Sequence, residues 1–122
     1  MEKDEFKALK IGDIVFGAVI ELSNRGESFV RCSRFKLEVT KLDEASYGRR
    51  QYAYFKILDN YGKTNNKIGS NICFDIYDSY QLFFNEEDAI EYWNSSIYNG
   101  IDRLTSRYER AIKKLKSKII NI

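Results

Sequence analysis

A row of residues in the C-terminal part of the chain recurs every three or four positions and includes three arginines. Arginine binds phosphate through two parallel hydrogen bonds, and an aromatic ring offers a face for a base. If one continuous helix carries the row, the pattern predicts an anion-binding face beside an aromatic side chain. A solvated basic flank, or the edge of a coiled coil, has the same pattern. The row consists of Trp93, Ser96, Gly100, Arg103, Arg107, Arg110 and Lys114.

A second group of aromatic side chains lies on or near predicted strands, with two arginines entering one of them. An aromatic sheet next to arginines can stack the bases of a single strand of nucleic acid. Filling of the core explains most of these rings more simply, and a net charge of +2 is a weak footprint for a phosphate backbone. The residues concerned are Tyr47, Tyr52, Tyr54, Tyr61, Tyr77 and Tyr80, with Arg49 and Arg50.

The residues for common catalytic chemistry are missing from the sequence. Histidine is absent, which removes histidine general bases, Ser-His and Cys-His nucleophiles and almost every zinc site. No glycine-rich phosphate loop or nucleophile elbow is present. Cys32 and Cys73, the two cysteines, are expected to be buried thiols rather than a disulfide. We therefore expect a binding protein rather than an enzyme, with no cofactor.

Acidic residues near the start of the helical part are the one candidate metal cluster. Their spacing fits no calcium loop, and three of them are better explained as carboxylates at a helix N-terminus. We therefore expect no metal site. The cluster consists of Asp75, Asp78, Glu86, Glu87 and Asp88.

The length of 122 residues fits a single domain, and charge is unevenly distributed along it. Residues 97–122 hold seven basic side chains and two acidic ones, whereas the first 96 residues have an acidic excess. This asymmetry indicates an anionic partner near the C-terminus.

No apolar run approaches the roughly 18 residues that cross a bilayer, and the charged first residues do not resemble a signal peptide. We expect a cytoplasmic location and no membrane contact.

The sequence of the first two thirds of the chain predicts β-strands. Alternating apolar residues and turn signals predict an α+β fold in which an antiparallel sheet, curled toward a barrel, occupies about 12–84. Two long strands form a hairpin around the turn at 23–27. The predicted strands are 13–22, 29–39, 51–58, 72–76 and 81–84, and a turn is predicted at 59–62.

The remaining residues, about 86–120, are predicted to be helical. Asn85 is the predicted N-cap, with Asp88 at the third helical position. Either one long helix or two consecutive helices follow. We favour a break between Asn94 and Gly100, because glycine costs about 1 kcal/mol inside a helix. An apolar seam predicts packing within the chain or, as we favour, a homodimer or higher oligomer. Its residues are Ile97, Ile101, Leu104, Tyr108, Ala111, Leu115, Lys118 and Ile122, widened by Ile112 and Ile119.

In layout the chain resembles the phage Thoeris anti-defence sponges of the first-described type. The resemblance rests on the β-rich first part, the junction Gln81-Leu82-Phe83-Phe84-Asn85-Glu86-Glu87 and the arginine-bearing helical part. It implies a phage protein in the host cytoplasm that assembles through its helices. Such a protein sequesters the cyclic ADP-ribose isomer signal of the Thoeris TIR protein without cleaving it.

Side-chain chemistry and position then suggest ligand-binding roles under this resemblance. Guanidinium groups suit the pyrophosphate, aromatic rings suit adenine and amides suit ribose hydroxyls. Two alternatives stay open: a protein-binding inhibitor of a host defence complex, similar to anti-CRISPR factors, and a single-strand nucleic-acid-binding module. The candidate ligand-binding residues are Arg103, Arg107 and Arg110 for pyrophosphate, Phe83, Phe84 or Trp93 for adenine, and Asn94 or Asn99 for ribose.

Overall fold

The computed structural model describes residues 1–43, 51–62 and 66–121. It is an α+β fold, as expected, with a five-stranded antiparallel sheet followed by one long helix. No helix in these three ranges is both long and apolar enough to span a bilayer. The elements in chain order are α1 (Lys3–Lys7), β1 (Ile14–Leu22), β2 (Phe29–Asp43), β3 (Tyr52–Gly62), β4 (Asn71–Asp75), a 3-10 helix (Ile76–Gln81), β5 (Leu82–Phe83) and α2 (Glu86–Lys116).

The sheet is built around the predicted hairpin. β1 and β2 pair from Ile14 opposite Glu38 to Leu22 opposite Phe29, and Gly26 adopts the positive φ that their turn requires. The strand order is β4-β3-β2-β1-β5. β4 and β5 lie at opposite edges, so the sheet is open and the predicted curl does not close into a barrel.

One face of the sheet carries the core. β-branched, leucine and phenylalanine side chains alternate inward along β1, β2 and β3, and Phe6 and Leu9 from the N-terminal segment join them. Burial of each such side chain contributes roughly 1.5–3 kcal/mol. Phe55 and Phe74 meet edge to face, with ring centroids 5.7 Å apart. The core therefore lies between the sheet on one side and α1 with the 3-10 helix on the other.

The helix α2 begins where the sequence predicts. The Asp88 backbone N–H donates to Asn85 Oδ1 at 2.8 Å, and Asn85 Nδ2 donates to Asp88 Oδ2 at 2.9 Å. This reciprocal pair satisfies one of the free N–H groups of the first turn. Glu86, Glu87 and Asp88 lie at the positive end of the helix dipole, as expected.

The favoured break between Asn94 and Gly100 is wrong, because α2 is continuous through that segment. Gly100 is buried, and a Cβ built on it would lie 2.3 Å from Leu22 Cδ1. The glycine thus lets the helix approach β1 closely. Packing at this crossing offsets the cost of about 1 kcal/mol that glycine carries in a helix.

Several boundaries also differ from the sequence prediction. The turn predicted at 59–62 is wrong, because β3 continues to Gly62 and pairs with β2 across two irregularities in register. The predicted fifth strand at 81–84 is shorter, since Gln81 belongs to the 3-10 helix. Neither that helix nor α1 was predicted. Both are short elements in which capping hydrogen bonds, rather than hydrophobic periodicity, specify the backbone.

Replacing Gly100 by leucine is expected to lower the free energy of unfolding by about 2 kcal/mol, because a leucine side chain does not fit against Leu22. Urea denaturation measures the change. Gly100→Ala is the control and should cost much less, since the flexible end of Leu22 can move and alanine favours the helix. A Gly100→Leu variant as stable as the parent would contradict this account of the crossing.

Candidate functional site

An open cleft of about 520 Å³ lies between the β1–β2 turn and the middle of α2. The helix contributes its three arginines from successive turns, so their side chains form one wall. The turn contributes the opposite wall. We call this the arginine cleft; it is lined by Asn24, Arg25, Gly26, Asp102, Arg103, Ser106, Arg107 and Arg110.

Arg107 joins the two walls of the arginine cleft. Its Nη1 donates to the backbone oxygen of Arg25 at 2.9 Å and lies 4.0 Å from Glu27 Oε1. Both side chains of this ion pair are about half exposed, so it contributes at most about 1 kcal/mol. Arg107 therefore acts mainly to hold the turn against the helix.

Arg25 contributes an exposed guanidinium group from the turn. On the helical wall, Arg103 and Arg110 are the two guanidinium groups available to a ligand. Both are exposed, and within the described ranges neither has a hydrogen-bond or ion-pair partner. Among the described residues, Asp102 is the only carboxylate that lines the cleft. Guanidinium groups stay charged at every physiological pH, so the cleft keeps a positive excess. An anionic group entering it can accept paired hydrogen bonds from either arginine.

Asn99 extends the cleft toward the sheet. It lines a neighbouring concavity with Ile20 and Leu22, and this concavity shares Asp102 and Arg103 with the arginine cleft. Asn99 precedes Arg103 by one helical turn, so its amide lies beside the guanidinium wall. The structure thus brings Asn99 together with Arg103, one of the three predicted arginines.

The predicted aromatic side chains lie at the other end of α2. Trp93 precedes Arg103 by ten residues, which corresponds to about 15 Å along a helix. Phe83 packs on Tyr92 with ring centroids 5.3 Å apart, and Phe84 is half exposed beside the helix start. A single chain therefore does not place Phe83, Phe84 or Trp93 in the arginine cleft.

Trp93 is instead part of a stack that the sequence did not predict. The guanidinium carbon of Arg34 lies 5.1 Å from the ring centre of Tyr61 and 5.7 Å from that of Trp93. Tyr61 donates from its hydroxyl to Asp59 at 3.0 Å, and this bond raises the pKa of the tyrosine. The stack links the sheet to the first half of α2. The stack could not be predicted, because the alternation of side chains along β2 gives the face of the sheet on which Arg34 lies but not the helix that covers this face.

Asn94, the other candidate for ribose, lies apart from the arginines. It is exposed and borders a shallow surface with Glu87, Ile90, Glu91 and Tyr98. This surface belongs to the side of α2 that carries apolar residues. The chain alone therefore separates Asn94 from Asn99.

The apolar seam is covered only in part. Ile97 and Leu104 are half buried, whereas the neighbouring row faces away from the sheet and is uncovered by the rest of the described chain. Exposure is 51% for Ile101, 54% for Tyr108 and 72% for Leu115. From Tyr108 to Asn121 every residue is exposed. We call this row the apolar stripe; it consists of Tyr98, Ile101, Tyr108, Ile112 and Leu115.

Lysine ammonium groups lie over two of the aromatic rings near the sheet. The ammonium groups of Lys41 and Lys3 lie over the rings of Tyr54 and Tyr77 at 5.2 and 4.7 Å. Tyr80 is exposed beside the start of β5. Tyr47, Arg49, Arg50 and Ile122, named in the sequence analysis, lie outside the described residues.

In the described part of the chain the cysteines form no disulfide, and the acidic residues form no group that could hold a metal. Both cysteines are free, but neither is buried, contrary to the expectation: Cys32 is half exposed and Cys73 is exposed. Desolvation is the main cause that raises the pKa of the Cys73 thiol. Residues 1–43, 51–62 and 66–121 contain no group of three or more side chains placed to hold a metal.

Comparison of the chain with known protein families, with curated proteins and with solved structures finds no match in any of the three.

Proposed function

We propose that this protein is a phage anti-defence protein that binds and sequesters a cyclic nucleotide signal in the host cytoplasm. The ligand would be a cyclic ADP-ribose isomer of the kind made by a Thoeris TIR protein. The observation that carries this proposal is the pair of unpartnered guanidinium groups, Arg103 and Arg110, on one wall of an open cleft. The layout described above as resembling the sponge family supplies the class of ligand.

The chemistry of the arginine cleft suits such a ligand. A pyrophosphate presents several anionic oxygens within a few ångströms. Arg103 and Arg110 lie two helical turns apart, about 10 Å along the axis, and their long side chains can converge on it from the same side. Asn99 offers both a donor and an acceptor to a ribose hydroxyl. The cleft volume lies in the range of small-molecule sites, about 300–1,000 Å³.

An adenine base needs a flat group on which to stack, and none of the described residues that line the arginine cleft is aromatic. A guanidinium plane can stack on a base, and Arg103 or Arg110 can serve in this way. Phe83, Phe84, Trp93 and Asn94 would contribute in a higher oligomer, in which a contact other than pairing of the apolar stripes brings the start of another protomer's α2 to the cleft. Phe84 is exposed enough to do so.

We further propose that two protomers associate through their apolar stripes, with the helices antiparallel. The first turns of α2 carry Glu86, Glu87 and Asp88, and its last turn carries Lys113, Lys114 and Lys116. Antiparallel pairing brings the acidic end of one helix toward the basic end of the other, whereas parallel pairing places the basic ends of the two helices side by side. The arginine clefts lie on the opposite side of α2 and stay open.

A protein-binding inhibitor of a host defence complex is the second candidate function. The observation that favours it is the apolar stripe, in which Tyr98 and Tyr108 are exposed side chains of the type that dominates interfaces. In that case the stripe would bind a host protein rather than a second copy. The single-strand nucleic-acid module is the weaker alternative. Binding of a phosphate backbone depends on an extended basic surface, and the net charge of the chain is only +2.

Sequestration without cleavage can be tested by recovering the ligand. The purified protein is incubated with a cyclic ADP-ribose isomer, separated from free ligand and then heated, and the released compound is identified by mass spectrometry. We expect stoichiometric release of the intact compound, because binding leaves its bonds unchanged. Degraded compound would indicate an enzyme. Absence of retained compound, together with capture of a host protein, would favour the inhibitor.

A further inference from the structure

A second cleft lies on the core face of the sheet, on the other side from the arginines. It also measures about 520 Å³. Val19, Phe35 and Phe74 contribute to its lining from three strands and are at most 9% exposed. Because close packing in the core fixes these side chains, they form a small preformed apolar patch in a cleft whose exposed surface is otherwise mostly polar. We call this concavity the core cleft.

The rim of the core cleft carries one carboxylate without a partner. Asp78 is half buried, and in the described part of the chain its side chain makes no hydrogen bond or ion pair. Its backbone N–H donates to Asp75 Oδ1 at 3.1 Å, which fixes the first turn of the 3-10 helix. The carboxylate is therefore held at the edge of this apolar patch.

The other polar groups of the rim do not neutralise Asp78. Arg31 lines the cleft but pairs with Glu21, with 3.4 Å between Nε and Oε2. Gln81 is 8% exposed, and its Nε2 donates to the Tyr80 hydroxyl at 3.3 Å, which leaves the amide oxygen as an acceptor. The rim thus combines a negative charge with a neighbouring acceptor. It favours a hydrogen-bond donor that carries positive charge and disfavours a phosphate.

We propose that the core cleft binds a small organic ammonium ion with an aromatic or aliphatic body. The ammonium group would donate to the Asp78 carboxylate and the Gln81 amide oxygen. The apolar body would lie on Phe35 and Phe74, where it leaves water. This site is independent of the arginine cleft, because the two clefts share no lining residue and lie on opposite faces of the sheet.

Titration of the full chain with 2-phenylethylamine tests this site, with 2-phenylethanol and phenylacetate as neutral and anionic probes of similar shape. Calorimetry gives the affinities, and amide chemical shifts give the place of binding. We expect the amine to bind at least about tenfold more tightly than the alcohol, since a hydrogen bond to a charged group is stronger than a neutral one. Phenylacetate should bind most weakly, and shifts should centre on Phe35, Phe74 and Gln81.

Asp78→Asn should abolish the preference for the amine over the alcohol, whereas Asp102→Asn, which removes a carboxylate from the arginine cleft, should leave it unchanged. Thermal unfolding of both variants checks that each is folded. If the probes bind equally, if no probe binds at millimolar concentration, or if shifts centre on the arginine cleft, the proposal is overturned. A preference for the amine that survives Asp78→Asn also overturns it.

Discussion

Simultaneous replacement of Arg103 and Arg110 by alanine is expected to weaken binding of a cyclic ADP-ribose isomer by at least about a hundredfold. Each guanidinium group can give charge-assisted hydrogen bonds to the pyrophosphate, and each such bond contributes roughly 1.5–3 kcal/mol. Both side chains are exposed and unpartnered in the described chain, so the free energy of unfolding should change little. Isothermal titration calorimetry measures the affinity, and urea denaturation measures the stability.

The matched control removes two positive charges from the same helix outside the cleft. Lys113→Ala with Lys116→Ala leaves the net charge of the chain equal to that of the arginine variant. It should retain most of the affinity, because neither lysine lines the arginine cleft. If both double variants lose affinity equally, the affinity depends only on the net charge of the protein and not on the arginine cleft. Unchanged affinity in the arginine variant would refute the proposed site.

Conversion of Ile101 and Leu115 to aspartate is expected to make the protein monomeric. The two positions lie near opposite ends of the apolar stripe and are 51% and 72% exposed, so the substitutions cost a lone protomer little. In a dimer they would place unpaired carboxylates in the interface, which costs several kcal/mol and raises the dissociation constant by at least about a thousandfold. Native mass spectrometry and light scattering measure the oligomeric state.

The arginine variant serves as the control for this experiment, because Arg103 and Arg110 lie on the opposite side of α2 from the stripe. It should remain dimeric. A parent protein that is monomeric at micromolar concentration would contradict association through the stripe. Ligand binding by the monomeric aspartate variant is a separate measurement: retained affinity means that one chain provides the complete site, and lost affinity means that a second protomer contributes to it.

The β1–β2 hairpin and the helix start could be predicted because local residues specify them. Apolar alternation sets the strand faces, and Asn85 with Asp88 forms a cap whose partners are three residues apart. The continuity of α2 could not be predicted, because it depends on the contact of Gly100 with Leu22, which is distant in sequence. Propensity favours a break at Gly100, and tertiary packing overrides it.

The row of arginines was predictable from the sequence, and the cleft around it was not. Helical spacing correctly groups Arg103, Arg107 and Arg110, since these residues lie on one element. The spacing also placed Trp93 on the same face, but a shared face does not mean a shared cleft when about 15 Å separates the residues along the axis. The turn that completes the cleft through Arg25 has no periodic pattern of residues that would predict a contact with the helix. Whether the turn reaches the helix depends on where the hairpin ends.

The exposed last turns of α2 have a thermodynamic consequence. From Tyr108 onward no side chain is buried against the described chain, so in a lone protomer only local helix propensity and the attachment to the packed first half keep these turns folded. Pairing with a second copy would add the missing burial. Order at this end of the molecule then becomes a function of protein concentration, so fraying in dilute solution and helicity in concentrated solution would be two states of one equilibrium.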